Sequence, residues 1–190
     1  MNEMPKSESE LTEVEKYLTS GPQTEITPEI EKLTSDITGT VLEKTRKIFN
    51  LGESIMRVED FDENVFRKRT ASEIIKSKYV TGCTDAALAF LVIARATGIP
   101  AKYVETIDTE WLRRGDDKYS GHIYVRIFDN SKDDWILIDP MKRKIDMSVP
   151  KDRVIYKEGL DSWDIGIKDF ETLKKAFDSF RDKWLVSNSE

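Results

Sequence analysis

The chain has 190 residues, with 30 Lys and Arg against 36 Asp and Glu, a net charge of −6. That length is one domain with room for a tail, and no positive field is present to favour nucleic acid or an anionic membrane surface. Apolar residues make up 38% and charged residues 35% of the chain, the balance of a globular protein that buries about 70% of its unfolded surface without disulfides or metals.

A single cysteine excludes an internal disulfide and points to a reducing compartment, the cytoplasm. With one histidine beside it, no four-ligand Cys/His zinc site can be assembled, and neither HExxH nor an EF-hand loop occurs. No cofactor is expected, although a carboxylate-only metal site stays open. The opening MNEMPKSESELTEVEK has no apolar segment, and the run from Ala86 through Ala94 is about half a membrane span. The chain therefore reads as soluble and unexported.

Residues 1–26 are rich in Glu, Ser, Thr and Pro and read as an acidic polar tail, or a loosely docked helix through Leu11, Val14, Tyr17 and Leu18. Residues 27–190 form the single expected domain. Thr27-Pro28 is an N-cap with proline at the first helical position, opening a short helix with Ile30, Leu33 and Ile37 on one face and Gly39 as its stop. A capping box at Thr40 and Glu43 starts a longer helix through Ile48, Phe49, Ile55 and Met56, and a second at Thr70 and Glu73 starts another. Between them, residues 57–69 are charged and aperiodic and read as a loop.

After Gly82, the run Cys83 to Thr97 is apolar nearly all round and stops at Gly98 with Pro100 beyond, the pattern of a buried central helix. Residues 101–107, 121–128 and 134–139 are rich in Val, Ile, Tyr and Trp and read as strands, the last two joined as a hairpin by Asp129-Asn130-Ser131-Lys132-Asp133. Arg153 to Tyr156 could supply one more. Phe170, Leu173, Phe177, Phe180 and Trp184 mark an amphipathic C-terminal helix over about 169–185. Helices first and strands later imply an α+β class.

Cys83 is the one candidate nucleophile. A thiol with an ordinary pKa near 8.5 is only about 3% thiolate at neutral pH, so full ionisation raises the reactive fraction roughly 30-fold, about 2 kcal/mol of barrier. The first turn of a helix favours a negative charge, and its free N–H groups can also donate to an oxyanion. A small buried hydrophobe is the plain alternative. His122 opens one arm of the hairpin and Asp139 closes the other. If Phe128 pairs with Trp135, Asp139 lies opposite Tyr124, on the face of His122 and diagonal to it, where a carboxylate can hold an imidazole that takes the Cys83 proton. Singly, His122 can be an ordinary strand histidine and Asp139 an Asp-Pro turn with Pro140.

At these residues the sequence resembles the transglutaminase-like superfamily, through GCTDAALAFLVIARATGIPAKYVET at 82–106, the strand of His122, and WILIDP ending at Pro140. The resemblance covers residues 27–150. It implies a papain-like α+β fold, N-terminal helices and a central cysteine-bearing helix packed on an antiparallel sheet, with acyl transfer from an amide through a thioester on Cys83. It also implies a protein or peptide substrate. The second oxyanion donor is not evident, because the sole glutamine is Gln23 and no tryptophan precedes Cys83; Tyr79 is a candidate donor or an ordinary packing residue. Asp85 is a helix cap or a substrate contact, and Trp111, in the 108–120 connection, borders the groove or lies in a solvated loop. Three functions fit the pattern: hydrolysis of an amide, protein-glutamine transamidation, and an idle binding module.

Overall fold

The computed structural model describes residues 12–188. A 3-10 turn at Glu15–Leu18 precedes α1 (Pro28–Thr34), α2 (Val41–Ile55), β1 (Arg57–Val58), α3 (Ala71–Ser77), β2 (Tyr79–Val80) and α4 (Cys83–Ala96). The second half holds β3 (Ala101–Asp108), α5 (Thr109–Arg114), β4 (Gly121–Asp129), β5 (Asp134–Asp139), β6 (Lys144–Met147), β7 (Arg153–Gly159) and α6 (Phe170–Ser187). The α+β class follows directly.

The helix starts obey the capping chemistry of the sequence. Thr27 accepts from the Ile30 N–H, and Thr40 and Thr70 each form a reciprocal capping box with the glutamate three residues on. Each such cap contributes about 1 kcal/mol. The left-handed conformation of Gly98, φ +78°, lets the chain turn back so that the Ile99 N–H reaches the Ala94 carbonyl at 2.9 Å, a stop that a Cβ would strain.

Five strands form one antiparallel sheet in the order β6-β5-β4-β3-β7. Helix α4 lies against it as the centre of the core: Leu88, Leu91, Val92 and Ile93 are buried together with Val125, Ile127 and Ile138 of the sheet. Each such aliphatic side chain contributes about 1.5–3 kcal/mol on burial. The hairpin register is Phe128↔Trp135 through Val125↔Ile138, and continuing it by one step sets Asp139 opposite Tyr124.

Several local expectations need correction. Residues 57–69 are not wholly loop, because Arg57 and Val58 pair in parallel with Tyr79 and Val80, two-residue strands too short to show a period. The 108–120 connection contains α5, capped by the Asp108 carboxylate and ended by Gly115; six residues are too few for a periodic signal. Strand β6, KIDM, is an edge strand with alternating exposure. The tail reading fails for the described residues before Thr27: Gln23 and Thr24 are fully buried, and Asp161 accepts from the Gln23 N–H at 2.8 Å and the Thr24 hydroxyl at 3.0 Å. Residues 1–11 lie outside the described residues. The C-terminal helix runs to Ser187, two residues past its expected end.

Candidate active site

Cys83 is the first residue of α4 and is half-buried. Among the described residues, every other α-helix has a side-chain N-cap, whereas Gly82 has no side chain to offer and the first turn of α4 is uncapped. Its N–H groups and the positive end of the helix dipole therefore stand beside the thiol with no side chain competing for them.

His122 and Asp139 meet across the hairpin. His122 Nε2 lies 2.8 Å from Asp139 Oδ2, and the Tyr124 ring stands edge-on to the imidazole at 4.8 Å between centroids. Asp139 also accepts from the Lys142 N–H through Oδ1, at 3.0 Å, so its carboxylate ties the turn after β5 and orients the histidine at once. With Nε2 engaged, Nδ1 is the nitrogen left for Cys83, which lies near enough to act on the charge of the same ring. Burial pulls the His122 pKa down, but the hydrogen bond to Asp139 and the neighbouring Cys83 outweigh it and carry the pKa up to about 9. Burial alone would raise Asp139; the hydrogen bonds from His122 and Lys142 reverse this and hold its carboxyl below the usual range.

The other residues singled out from the sequence fall elsewhere. Asp85 is buried, and its Oδ2 accepts from the Thr81 N–H and hydroxyl, each at 2.9 Å, and from Arg69 Nη2 at 2.5 Å. It fastens the turn ahead of Cys83, is absent from the lining of the cavity at Cys83, and leaves the N–H groups of the first turn of α4 uncapped, so it is neither a groove residue nor a helix cap. Trp111 is completely buried, with its indole N–H on the Asp116 carbonyl at 3.0 Å; it lies in the core and does not border a groove. The Tyr79 ring packs under the Arg69 guanidinium at 4.2 Å and lines neither cavity, which favours packing over oxyanion donation. Gln23 is likewise committed, its amide donating to the carbonyls of Arg67 at 3.0 Å and Arg69 at 2.8 Å.

One cluster near the site was not legible in the sequence. The Arg67 guanidinium is 3% exposed and grips Glu105 in a fork, Nη1 to Oε2 at 2.7 Å and Nη2 to Oε1 at 2.9 Å. Nη1 also donates to the Tyr103 hydroxyl at 3.0 Å and to Ser162 Oγ at 2.8 Å. Burial pushes the Arg67 pKa down, but Glu105 more than restores it, while burial pushes the Tyr103 phenol well up. The backbone of Arg67 is left-handed, φ +58°, and its carbonyl accepts from the Trp163 indole at 2.7 Å. Glu105, set among Tyr103, Val104 and Ile107 in β3, was the available signal; its partner, in an aperiodic stretch, had none.

Cys83 also opens onto a cavity of about 310 Å³ bounded by the 59–70 connection, the 115–121 loop and α6. A second cavity of about 210 Å³, apolar and lined by Phe49, Phe90 and Met141 among others, lies between α2, α4 and the turn after Asp139. Among the described residues no cluster of three or more His, Cys, Asp or Glu could hold a metal ion, and no helix is long and apolar enough to cross a membrane.

A cysteine at the bare start of a central helix, packed on an antiparallel sheet whose hairpin supplies a histidine and an aspartate, defines a papain-like class of fold. The sequence profile of the transglutaminase-like superfamily matches residues 31–140, more than half of the chain, and the protein belongs to that superfamily. Two of the solved structures that are similar in fold illustrate this. One is a candidate cysteine protease from Cytophaga hutchinsonii, 18% identical, with a TM-score of 0.63 over 84% of this chain and 51% of that one. The other is LapG from Legionella pneumophila, 14% identical, with a TM-score of 0.51 over 78% of this chain and 96% of that one. The chain thus spans about half the length of the first. A search of curated protein sequences finds no match.

Proposed function

We propose that the protein is a thiol-dependent amide hydrolase acting on a protein or peptide, with Cys83 as nucleophile, His122 as general base and acid, and Asp139 as the group that orients the imidazole. The observation that carries this reading is the 2.8 Å contact between His122 Nε2 and Asp139 Oδ2, which leaves Nδ1 to the Cys83 thiol. In the first half-reaction the Cys83 proton already rests on Nδ1 of the imidazolium, and the sulfur, as thiolate, attacks the amide carbonyl carbon. The oxyanion is met by N–H groups at the uncapped start of α4, each such donor being worth about 2.7–4 kcal/mol. Collapse breaks the C–N bond, and the imidazolium gives its proton to the leaving amine, leaving a thioester. In the second half, neutral His122 takes a proton from water as its oxygen attacks the thioester carbonyl; collapse breaks the C–S bond, releasing the acid and restoring the Cys83 thiolate beside the His122 imidazolium. A reducing compartment, the cytoplasm, would keep the lone cysteine in its working state.

The test is the rate of Cys83 alkylation by iodoacetamide as a function of pH, in the native protein and in His122→Ala. A fast rate persisting well below pH 7 and lost in the variant is expected; ordinary thiol behaviour, or no reaction short of unfolding, makes Cys83 a packing residue and leaves a binding module. Offering an amine together with a glutamine-containing protein separates hydrolysis from transamidation: amine incorporation without competing hydrolysis overturns the hydrolase assignment.

A further inference from the structure

Three segments far apart in sequence bring aromatic rings to the cavity that Cys83 opens onto. Phe61 and Phe66 come from the 59–70 connection, Tyr119 from the loop before β4, and Phe170 and Phe177 from α6. The rings are in mutual contact, Phe61 to Phe66 at 5.3 Å, Phe66 to Phe170 at 6.0 Å and Phe170 to Tyr119 at 6.0 Å between centroids. Phe61, Phe66, Phe170 and Tyr119 thus form a continuous run of rings on the lining that Cys83 shares.

The floor admits no bulk: a Cβ on Gly121, the residue before His122, would come within 3.0 Å of the Phe177 ring and 3.1 Å of the Thr106 carbonyl. At the mouth, Phe61 is 59% exposed, an aromatic side chain left in water beside a cavity where a ligand could cover it. The charged groups on the lining are few. Arg67 is gripped by Glu105, and Asp117 and Lys118 are neighbours of opposite sign on one loop. Neither offers a net charge for a charged substrate group to seek.

We propose that this cavity is the specificity pocket of the enzyme, and that the substrate carries a large apolar side chain next to the amide that Cys83 attacks. The inference rests on the hydrolase reading and names the substrate class for it. An apolar pocket of this kind discriminates by size and shape, with roughly 10- to 200-fold differences per group excluded or admitted.

The test compares three alkylating reagents on the native protein, each rate normalised to that of free cysteine: iodoacetamide, N-benzyliodoacetamide and iodoacetate. N-benzyliodoacetamide is expected to modify Cys83 at least about tenfold faster than iodoacetamide after normalisation. In Phe61→Ala, whose exposed position leaves the fold intact, that ratio is expected to fall several-fold. Equal normalised rates for the benzyl and parent reagents, with iodoacetamide itself fast at low pH, overturn the pocket and leave the hydrolase reading standing. A preference for iodoacetate over the benzyl reagent also overturns it, showing that Arg67 or Lys118 recruits an anion instead. Ordinary or absent reaction with all three overturns the hydrolase reading and the pocket together.

Discussion

His122 meets Asp139 through Nε2, at 2.8 Å, and not through Nδ1. This fixes which nitrogen can serve Cys83 and makes the carboxylate the source of the imidazole's orientation and of much of its basicity. Because His122 is the chain's only histidine, its titration can be followed as one unshared imidazole signal by NMR. The signal is expected to titrate near the value of about 9 in the native protein and to move back toward its ordinary 6.5 in Asp139→Asn. Catalytic turnover should fall by about 10²- to 10⁴-fold in the same variant; a native midpoint at 6.5 would remove Asp139 from the site.

The pH dependence of stability follows from the same pair. His122 gains a raised pKa on folding, so its contribution is complete below 6.5 and is lost as pH rises through about 9. Asp139 gains a lowered one, so its contribution is complete above 3.8 and is lost on further acidification. The pair therefore stabilises most between pH 3.8 and 6.5. Urea midpoints of the native protein minus those of His122→Gln should plateau in that window and decline toward pH 9; a difference that is flat across the alkaline range would contradict the coupling.

Glu105 is fully buried against Arg67, whereas Glu59 pairs with Arg57 with both side chains largely in water, 41% and 64% exposed. Glu105→Ala strands a buried guanidinium and is expected to cost about 3–5 kcal/mol in urea unfolding. Glu59→Ala should stay within about 0.5 kcal/mol of the parent. Equal effects would mean that the Arg67 cluster is far wetter than its packing.

The bare start of α4 predicts a trade between stability and activity. No atom would lie within 4 Å of a Cβ on Gly82, and its extended backbone suits any residue. Gly82→Asp supplies the missing cap and should raise stability by a few tenths of a kcal/mol. The same carboxylate competes for the N–H groups that meet the oxyanion and adds a negative charge beside Cys83, so turnover of an amide or ester substrate should drop by about tenfold or more. Unchanged turnover in a more stable variant would place the oxyanion elsewhere.

The helix starts, the central helix and the hairpin were legible in the sequence because each is specified locally: caps by Thr and Glu three apart, helix and strand by period, register by a turn of fixed length. That register, Phe128 against Trp135, was enough to bring Asp139 to the face of His122 before any fold was known. Tertiary structure alone decided what lies beyond those spans. It buried Gln23 and Thr24, from a stretch composed like a tail, against Asp161, 138 and 137 residues away. It paired Arg67 with Glu105, withdrew Asp85 and Trp111 from the groove, and assembled the run of aromatic rings on the lining that Cys83 shares. Burial and charge pairing between distant segments depend on which surfaces the packed core leaves facing each other, and no local pattern of side chains encodes that.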